Sequence, residues 1–155
     1  MIEFGRFADE NRRKRERRKP ETFDFMGFTH ICAKKFWSGG FIVHRRSTRK
    51  RLRAKLQAVR EALSRRRHLS IPEQGRYLRS VVQGFLNDHG VPGNIQSLEM
   101  FRRECVRNWL AALRRRSQRH RMNWERFRCW VDRLIPTLAI LHPYPNVRFY
   151  AKHPK

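Results

Sequence analysis

From residue 48 to residue 136 apolar side chains recur every three or four positions, in four blocks whose intervening positions are mostly polar or charged. Such a rhythm matches the helical repeat, in which positions three and four apart share one face. In the first block Leu52, Leu56, Val59 and Leu63 predict a helix from Thr48 to about His68, with Ser47 or Thr48 as its N-cap. A second helix is expected after Ser70, with Pro72 in its first turn and Tyr77, Leu78, Val81, Val82, Phe85 and Leu86 on its apolar face, stopping near Gly90. The cluster Pro92, Gly93, Asn94 forms a turn. A third helix opens at Ser97 and carries Leu98, Phe101, Cys105, Val106, Trp109, Leu110 and Leu113. A fourth, from Asn123 to just before Pro136, carries Trp124, Phe127, Trp130, Val131 and Leu134.

The remainder has a different pattern. Ile2, Phe4 and Phe7 suggest a short strand over Ile2 to Ala8, followed by a basic run, Arg12 to Lys19, that reads as a mobile, phosphate-seeking loop closed by Pro20. Thr22 to Cys32 places Phe23, Phe25 and Ile31 on one parity and faces Phe41 to His44 across a connection holding Gly39 and Gly40, the pattern of a β-hairpin. Two strands alone are marginal in water and usually need a third strand or a helix to cover them, neighbours that this part of the chain is expected to lack. After Pro136 the prolines at 136, 143, 145 and 154 are too many for a helix interior, and the tail should be extended and drape over the helices. The predicted class is mainly α: a short β-hairpin over residues 1–45, a basic bundle of three to four helices over 46–136, and an extended Pro-rich tail over 137–155. With 155 residues the chain is long enough for a genuine core.

Charge sharpens this picture more than any motif does. Lys and Arg total 37 against 13 Asp and Glu, a formal net charge of +24. Ordinary soluble domains carry about 2 to 8 charges in excess, so this chain is built for a polyanion. Lys and Arg that neutralise phosphates release condensed counterions, which makes such binding steeply salt-dependent. The densest positions are Arg49, Lys50, Arg51, Arg53, Lys55, Arg60, Arg65, Arg66 and Arg67 on and after the first bundle helix, and Arg114, Arg115, Arg116, Arg119 and Arg121 after the third. An anionic membrane is a poor alternative partner. No lipidation signal is present, the first predicted helix has only a narrow apolar stripe, and no run of about 18 apolar residues occurs. Met1 to Phe7 also lacks a signal-peptide hydrophobic region, which points to the cytoplasm.

Catalytic and metal chemistry find little support. No paired Cys or His stands at zinc-ligand spacing, and neither a nucleophile elbow nor a phosphate-cradling glycine loop occurs. Asp9, Asp24, Asp88 and Asp132 are scattered, whereas two-metal phosphoryl transfer needs clustered carboxylates. Cys32, Cys105 and Cys129 lie in apolar surroundings and read as reduced core residues. The helical spacing of Trp109, Trp124, Phe127 and Trp130 assigns them to the core, while Trp37 and Tyr150, in loop-like contexts beside basic residues, are the better candidates for stacking on bases.

Several phrases in order carry a resemblance: Phe25-Met26-Gly27-Phe28-Thr29-His30, Gln83-Gly84-Phe85, Val91-Pro92-Gly93-Asn94, Arg115-Arg116-Ser117-Gln118, Trp124-Glu125-Arg126-Phe127 and Ile140-Leu141-His142-Pro143-Tyr144-Pro145. Taken together the chain resembles the C-terminal part of bacterial group II intron-encoded reverse transcriptase/maturases. The resemblance covers nearly the whole sequence and marks Phe25, Gly27, Phe28, Gly84, Pro92, Gly93, Asn94, Trp124, His142 and Pro143 as family motif residues. It implies that residues 1 to about 45 are the last of the polymerase palm and that the helices after them are the thumb, or maturase-specific domain.

The implied function is binding of group II intron RNA to assist its folding and splicing, together with part of the grip on an RNA/DNA template-primer. The family's Tyr-Ala-Asp-Asp box is not in the chain, so catalysis and its Mg2+ would belong to a separate, upstream reverse transcriptase fragment. This chain alone is expected to need no cofactor and not to polymerise. The HNH endonuclease of some relatives is absent as well, and Asp88 stands where many relatives have an aromatic. Two alternatives stay open, a non-functional remnant of such a gene and a generic basic nucleic-acid-binding protein.

Overall fold

The computed structural model describes residues 2–17, 19–116 and 122–144. It contains five helices and one three-stranded antiparallel sheet: α1 (Ala8–Lys14), β1 (Phe23–Phe25), β2 (Phe28–Lys34), β3 (Phe41–Ser47), α2 (Arg49–Arg65), α3 (Ile71–His89), α4 (Ile95–Arg114) and α5 (Trp124–Leu134).

Helices α2 to α5 share one hydrophobic core. Trp109, Phe101, Phe127, Leu98 and Leu78 lie wholly or almost wholly buried at its centre. Each helix contributes the face that its spacing predicts, with Leu52, Val59 and Leu63 from α2 and Leu78, Val82, Phe85 and Leu86 from α3. Close approach of α3 depends on Gly75. A Cβ there would collide with the Leu134 side chain and sit 3.0 Å from the Trp109 ring. Helix α3 starts sharply because Ser70 and Glu73 form a reciprocal capping box, with Pro72 in the first turn where its missing N–H costs nothing. The hydrogen bonds of that box hold the Glu73 carboxyl below the usual carboxylate range. The third bundle helix begins two residues earlier than its pattern suggests, at Ile95, because Asn94 is buried beneath it as the last residue outside the helix.

The N-terminal region departs most from expectation. Residues 2 to 8 form no strand: Phe4 packs edge-on against Phe23, Gly5 takes a positive φ of 132°, and helix α1 begins at Ala8. The first three residues of the basic run expected to be a loop, Arg12 to Lys14, are the last turn of this helix. Its first turn holds Asp9 and Glu10 and its last turn Arg12, Arg13 and Lys14, the distribution that complements a helix dipole. The stretch from Thr22 to Cys32 is also not one strand. Met26 and Gly27, both with positive φ, turn the chain back on itself, so that β1 becomes a third strand beside the β2/β3 hairpin.

Beyond Pro136 the described part of the tail, up to Tyr144, has no regular structure, as the prolines require, and it lies against the bundle. The N–H groups of Leu141 and His142 donate to the Gly90 carbonyl at the end of α3, and Arg102 Nε donates to the Pro136 carbonyl. Some residues depart from their expected burial. Cys129 is exposed on α5 and Cys32 is only half-buried, while Cys105 alone lies in the core. Trp124, at the start of α5, is half-exposed rather than core, whereas Trp109 and Phe127 are buried and Trp130 packs partly against the core.

Candidate nucleic-acid interface

Three groups of cationic residues differ in their surroundings. On and beside α1 Arg12, Arg13 and Arg15 are paired with carboxylates of the chain. Arg12 lies 3.1 Å from Glu3 and 3.2 Å from Glu21, Arg15 reaches Glu3, and Arg13 and Lys34 share Asp9. The backbone N–H of Glu3 and the Arg12 guanidinium hold the Glu21 carboxyl below the ordinary range. The run that looked most like a free phosphate-seeker therefore holds part of the N-terminal region together.

On α2 the situation is reversed. Apart from Leu52, Val59, Ala62 and Leu63, with Leu56 half-buried, the helix is exposed, and its exposed positions include Arg49, Lys50, Arg51, Arg53, Lys55, Arg60 and Arg65. Its single carboxylate, Glu61, accepts a hydrogen bond from Gln57. Among the described residues no ion pair involves a Lys or Arg of α2. Arg51 also has a structural task, because its guanidinium lies over Gly27; a Cβ at position 27 would stand 2.6 Å from Arg51 Nη1.

The third group is assembled by tertiary packing. Helices α2 and α4 pack side by side and end together, so that Arg67 and His68 meet Arg115 and Arg116 around an open cleft of about 290 Å³ with no carboxylate in its lining. A neighbouring cleft of about 250 Å³ continues along the same seam from Arg67 and Arg115 to Arg60, with Glu61 as its one acid. The backbone beneath these arginines is fixed by a buried residue that sequence reasoning missed. The Gln74 side-chain amide donates to the carbonyls of Arg66 and Leu69, at 3.0 and 3.1 Å, and its oxygen accepts from Trp109 Nε1 at 3.2 Å. A polar residue three places into a predicted helix, on its apolar side, was the available signal for Gln74.

Not every cation at this end is free for a ligand. Arg66 stacks over the Tyr77 ring at 4.3 Å and Arg114 Nε donates to the Met122 carbonyl. Arg119 and Arg121, like Tyr150, lie outside the described residues. Basic groups in a last helical turn do interact favourably with the helix dipole, by roughly 0.3–1 kcal/mol each. That effect accounts for Arg65 and Arg114 but not for the whole cluster. Each pair of unit charges a few ångströms apart repels by about 1 kcal/mol even at the dielectric of water. The arrangement is therefore best relieved by an anion, and phosphate oxygens are the natural acceptors for a guanidinium fork.

Several motif residues, Gly27, Phe28, Gly93 and Asn94, lie at the joint between sheet and bundle rather than on this surface. Asn94 is fully buried. Its Oδ1 accepts the Ser47 N–H at 2.9 Å, and its amide donates to Ser47 Oγ at 3.0 Å and to the His89 carbonyl at 2.8 Å, tying β3 to the end of α3. Gly93, with φ of 88°, passes beside His44 where a Cβ would meet backbone and ring, and Pro92 is buried beside it. Phe28 lies 5.3 Å from the His89 ring, which stacks on Phe85 at 4.2 Å; burial holds His89 below its ordinary pKa. His142 Nε2 lies 2.6 Å from the Asn87 carbonyl. Gly84 lies inside α3, Phe25, Trp124 and Pro143 are exposed, and so is Asp88.

Among the described residues no three His, Cys, Asp or Glu side chains gather where they could hold a metal ion, and no helix is long and apolar enough to cross a membrane. No family model matches the chain, and no curated protein and no solved structure matches it either.

Proposed function

We propose that this chain is an RNA-binding module of the group II intron maturase type, with α2 and the joined ends of α2 and α4 as its phosphate-contacting surface. The observation that carries the reading is the acid-free cleft of Arg67, His68, Arg115 and Arg116, formed by two basic runs distant in sequence and flanked by an α2 surface without ion pairs. The ordered phrases that resemble the maturase family support the choice of intron RNA over any other polyanion. On that reading the sheet is the end of a reverse transcriptase palm, the bundle is the thumb, and a separate fragment with the Mg2+-dependent centre is a partner.

The test is a binding titration across roughly 50 to 200 mM salt, comparing a group II intron RNA with an unrelated structured RNA of equal length. The expected result is a preference for the intron that survives rising salt. In the triple variant Arg67→Ala/Arg115→Ala/Arg116→Ala, the slope of log affinity against log salt should flatten by about 0.7–0.9 for each phosphate that is no longer neutralised. Equal affinities that collapse together with salt would leave only a polycation's binding and favour the generic or remnant readings.

A further inference from the structure

At the far end of the β2/β3 hairpin two aromatic side chains stand almost wholly in water, Phe36 at 89% and Trp37 at 93% exposure. They are packed against each other edge-to-face, with ring centroids 5.0 Å apart. The turn that presents them is closed by backbone hydrogen bonds, Lys35 N–H to the Gly40 carbonyl at 2.7 Å and Gly39 N–H to the Lys35 carbonyl at 3.0 Å. Beside the tip runs an open cleft of about 810 Å³. Phe41 and Val43 line it, Lys35 and Arg45 supply cations, Lys34 at its edge lies 4.0 Å from Asp9, and Tyr144 of the tail adds a further aromatic; no carboxylate is among its lining residues.

Large aromatics exposed together are uncommon on a monomeric surface and mark a site of interaction. Here the rings are accompanied by cations alone. That combination, π-faces for stacking next to positive charge for the backbone, is how single-stranded nucleic acid is held without regard to sequence. A base already stacked within a duplex cannot offer its face, so such a surface distinguishes unpaired from paired strands.

We propose that the Phe36–Trp37 hairpin tip and its cleft form a stacking site for unpaired nucleobases, separate from the phosphate-contacting surface of the bundle. The site rests on the RNA-binding reading and adds to it a preference for single-stranded segments. Its occupant is a strand of one or two splayed nucleotides, whose bases lie on Trp37 and Phe36 and whose phosphates reach Lys35 or Arg45.

The experiment measures affinity of the full chain for a non-self-complementary RNA of about 12 nucleotides, alone and annealed to its complement. Wild type is compared with Trp37→Ala, Trp37→Phe and the Phe36→Ala/Trp37→Ala pair, each first checked for an unchanged thermal melt. The expected outcome is a loss of about 5- to 150-fold on the single strand for each stacked base removed, with little change on the duplex. Trp37→Phe should recover most of the loss, and the salt slope should stay as in wild type because every phosphate-binding cation is still present. Unchanged single-strand affinity in the folded variants would overturn the stacking site and leave the RNA-binding reading intact. Equal losses on both RNAs would also overturn it. Wild type that binds neither RNA would bring down both readings, and self-association in sedimentation that the double variant abolishes would make the tip a protein interface instead.

Discussion

The helical bundle and the sheet both carry aromatic and basic residues and yet hold together in different ways. In the bundle the apolar side chains meet one another: Trp109, Phe101, Phe127, Leu78 and Leu98 are fully or nearly fully buried. In the sheet no strand residue before Ser47 is buried, and the aromatic side chains are half-buried or exposed. Three short strands have too little area to enclose a core of their own. The sheet is instead fastened at one end, by Asn94 to Ser47, by Arg51 over Gly27 and by Phe28 against His89, while its far end projects Phe36 and Trp37 into solvent. The lesson is a division of labour. One region supplies stability by burial, and the other depends on a joint with the bundle and leaves aromatic side chains in solvent.

The largest effect that separates the two regions is expected from Trp109→Ala. It removes the largest fully buried side chain and leaves the Gln74 oxygen without its donor, so denaturant unfolding should show a loss of about 3–5 kcal/mol across the whole molecule. A loss under about 1 kcal/mol would mean that the core is not organised around this residue. Next comes Asn94→Ala, which leaves the Ser47 N–H unpaired at a cost of about 1–3 kcal/mol, whereas the His89 carbonyl keeps the Val91 N–H at 2.8 Å. Hydrogen exchange should then show the β3 amides losing protection while the interior turns of α4 keep theirs. Uniform loss would make the sheet and the bundle one cooperative unit.

A milder probe is pH. His89 sits in the joint, and burial holds its pKa below the ordinary value of 6.5 in the folded chain. Between those two values the unfolded chain binds more protons, so this contribution to stability is complete above about 6.5 and is lost as pH falls towards the folded value. His89→Gln should flatten thermal stability over that window in a pH series. The gentlest comparison is thiol labelling. Burial pushes the Cys105 thiol up to about 12 inside the bundle, whereas Cys129 is exposed on α5. Cys129 should react with a disulfide reagent at once and Cys105 only at the rate at which the bundle opens, with Cys32 of the sheet between them.

Much of this is written locally. The four bundle helices follow from apolar spacing, the start of α3 from Ser70 and Pro72, and the irregular tail from its prolines, because a helix face or a cap is decided within a few residues. Charge excess is likewise a property of composition, and it points to a polyanion before any coordinate is known. Which cations stay free of carboxylates is not local. Arg12 and Arg53 look alike in sequence, yet Arg12 is held by Glu3 and Glu21, whereas among the described residues no carboxylate pairs with Arg53. The run at Arg12 reads as a free loop for that reason, and the third strand is hidden because two residues with positive φ reverse a segment whose alternation looks continuous. The meeting of Arg67 and Arg115, the buried Gln74 beneath them and the Asn94 joint all depend on how α2, α3 and α4 pack together. The sequence by itself determined the helices and the chain's own excess of positive charge, since the one follows from near neighbours and the other from composition. Only the tertiary structure decided where unpaired cations converge and which aromatics remain outside, since both depend on residues far apart in the chain being brought within a few ångströms.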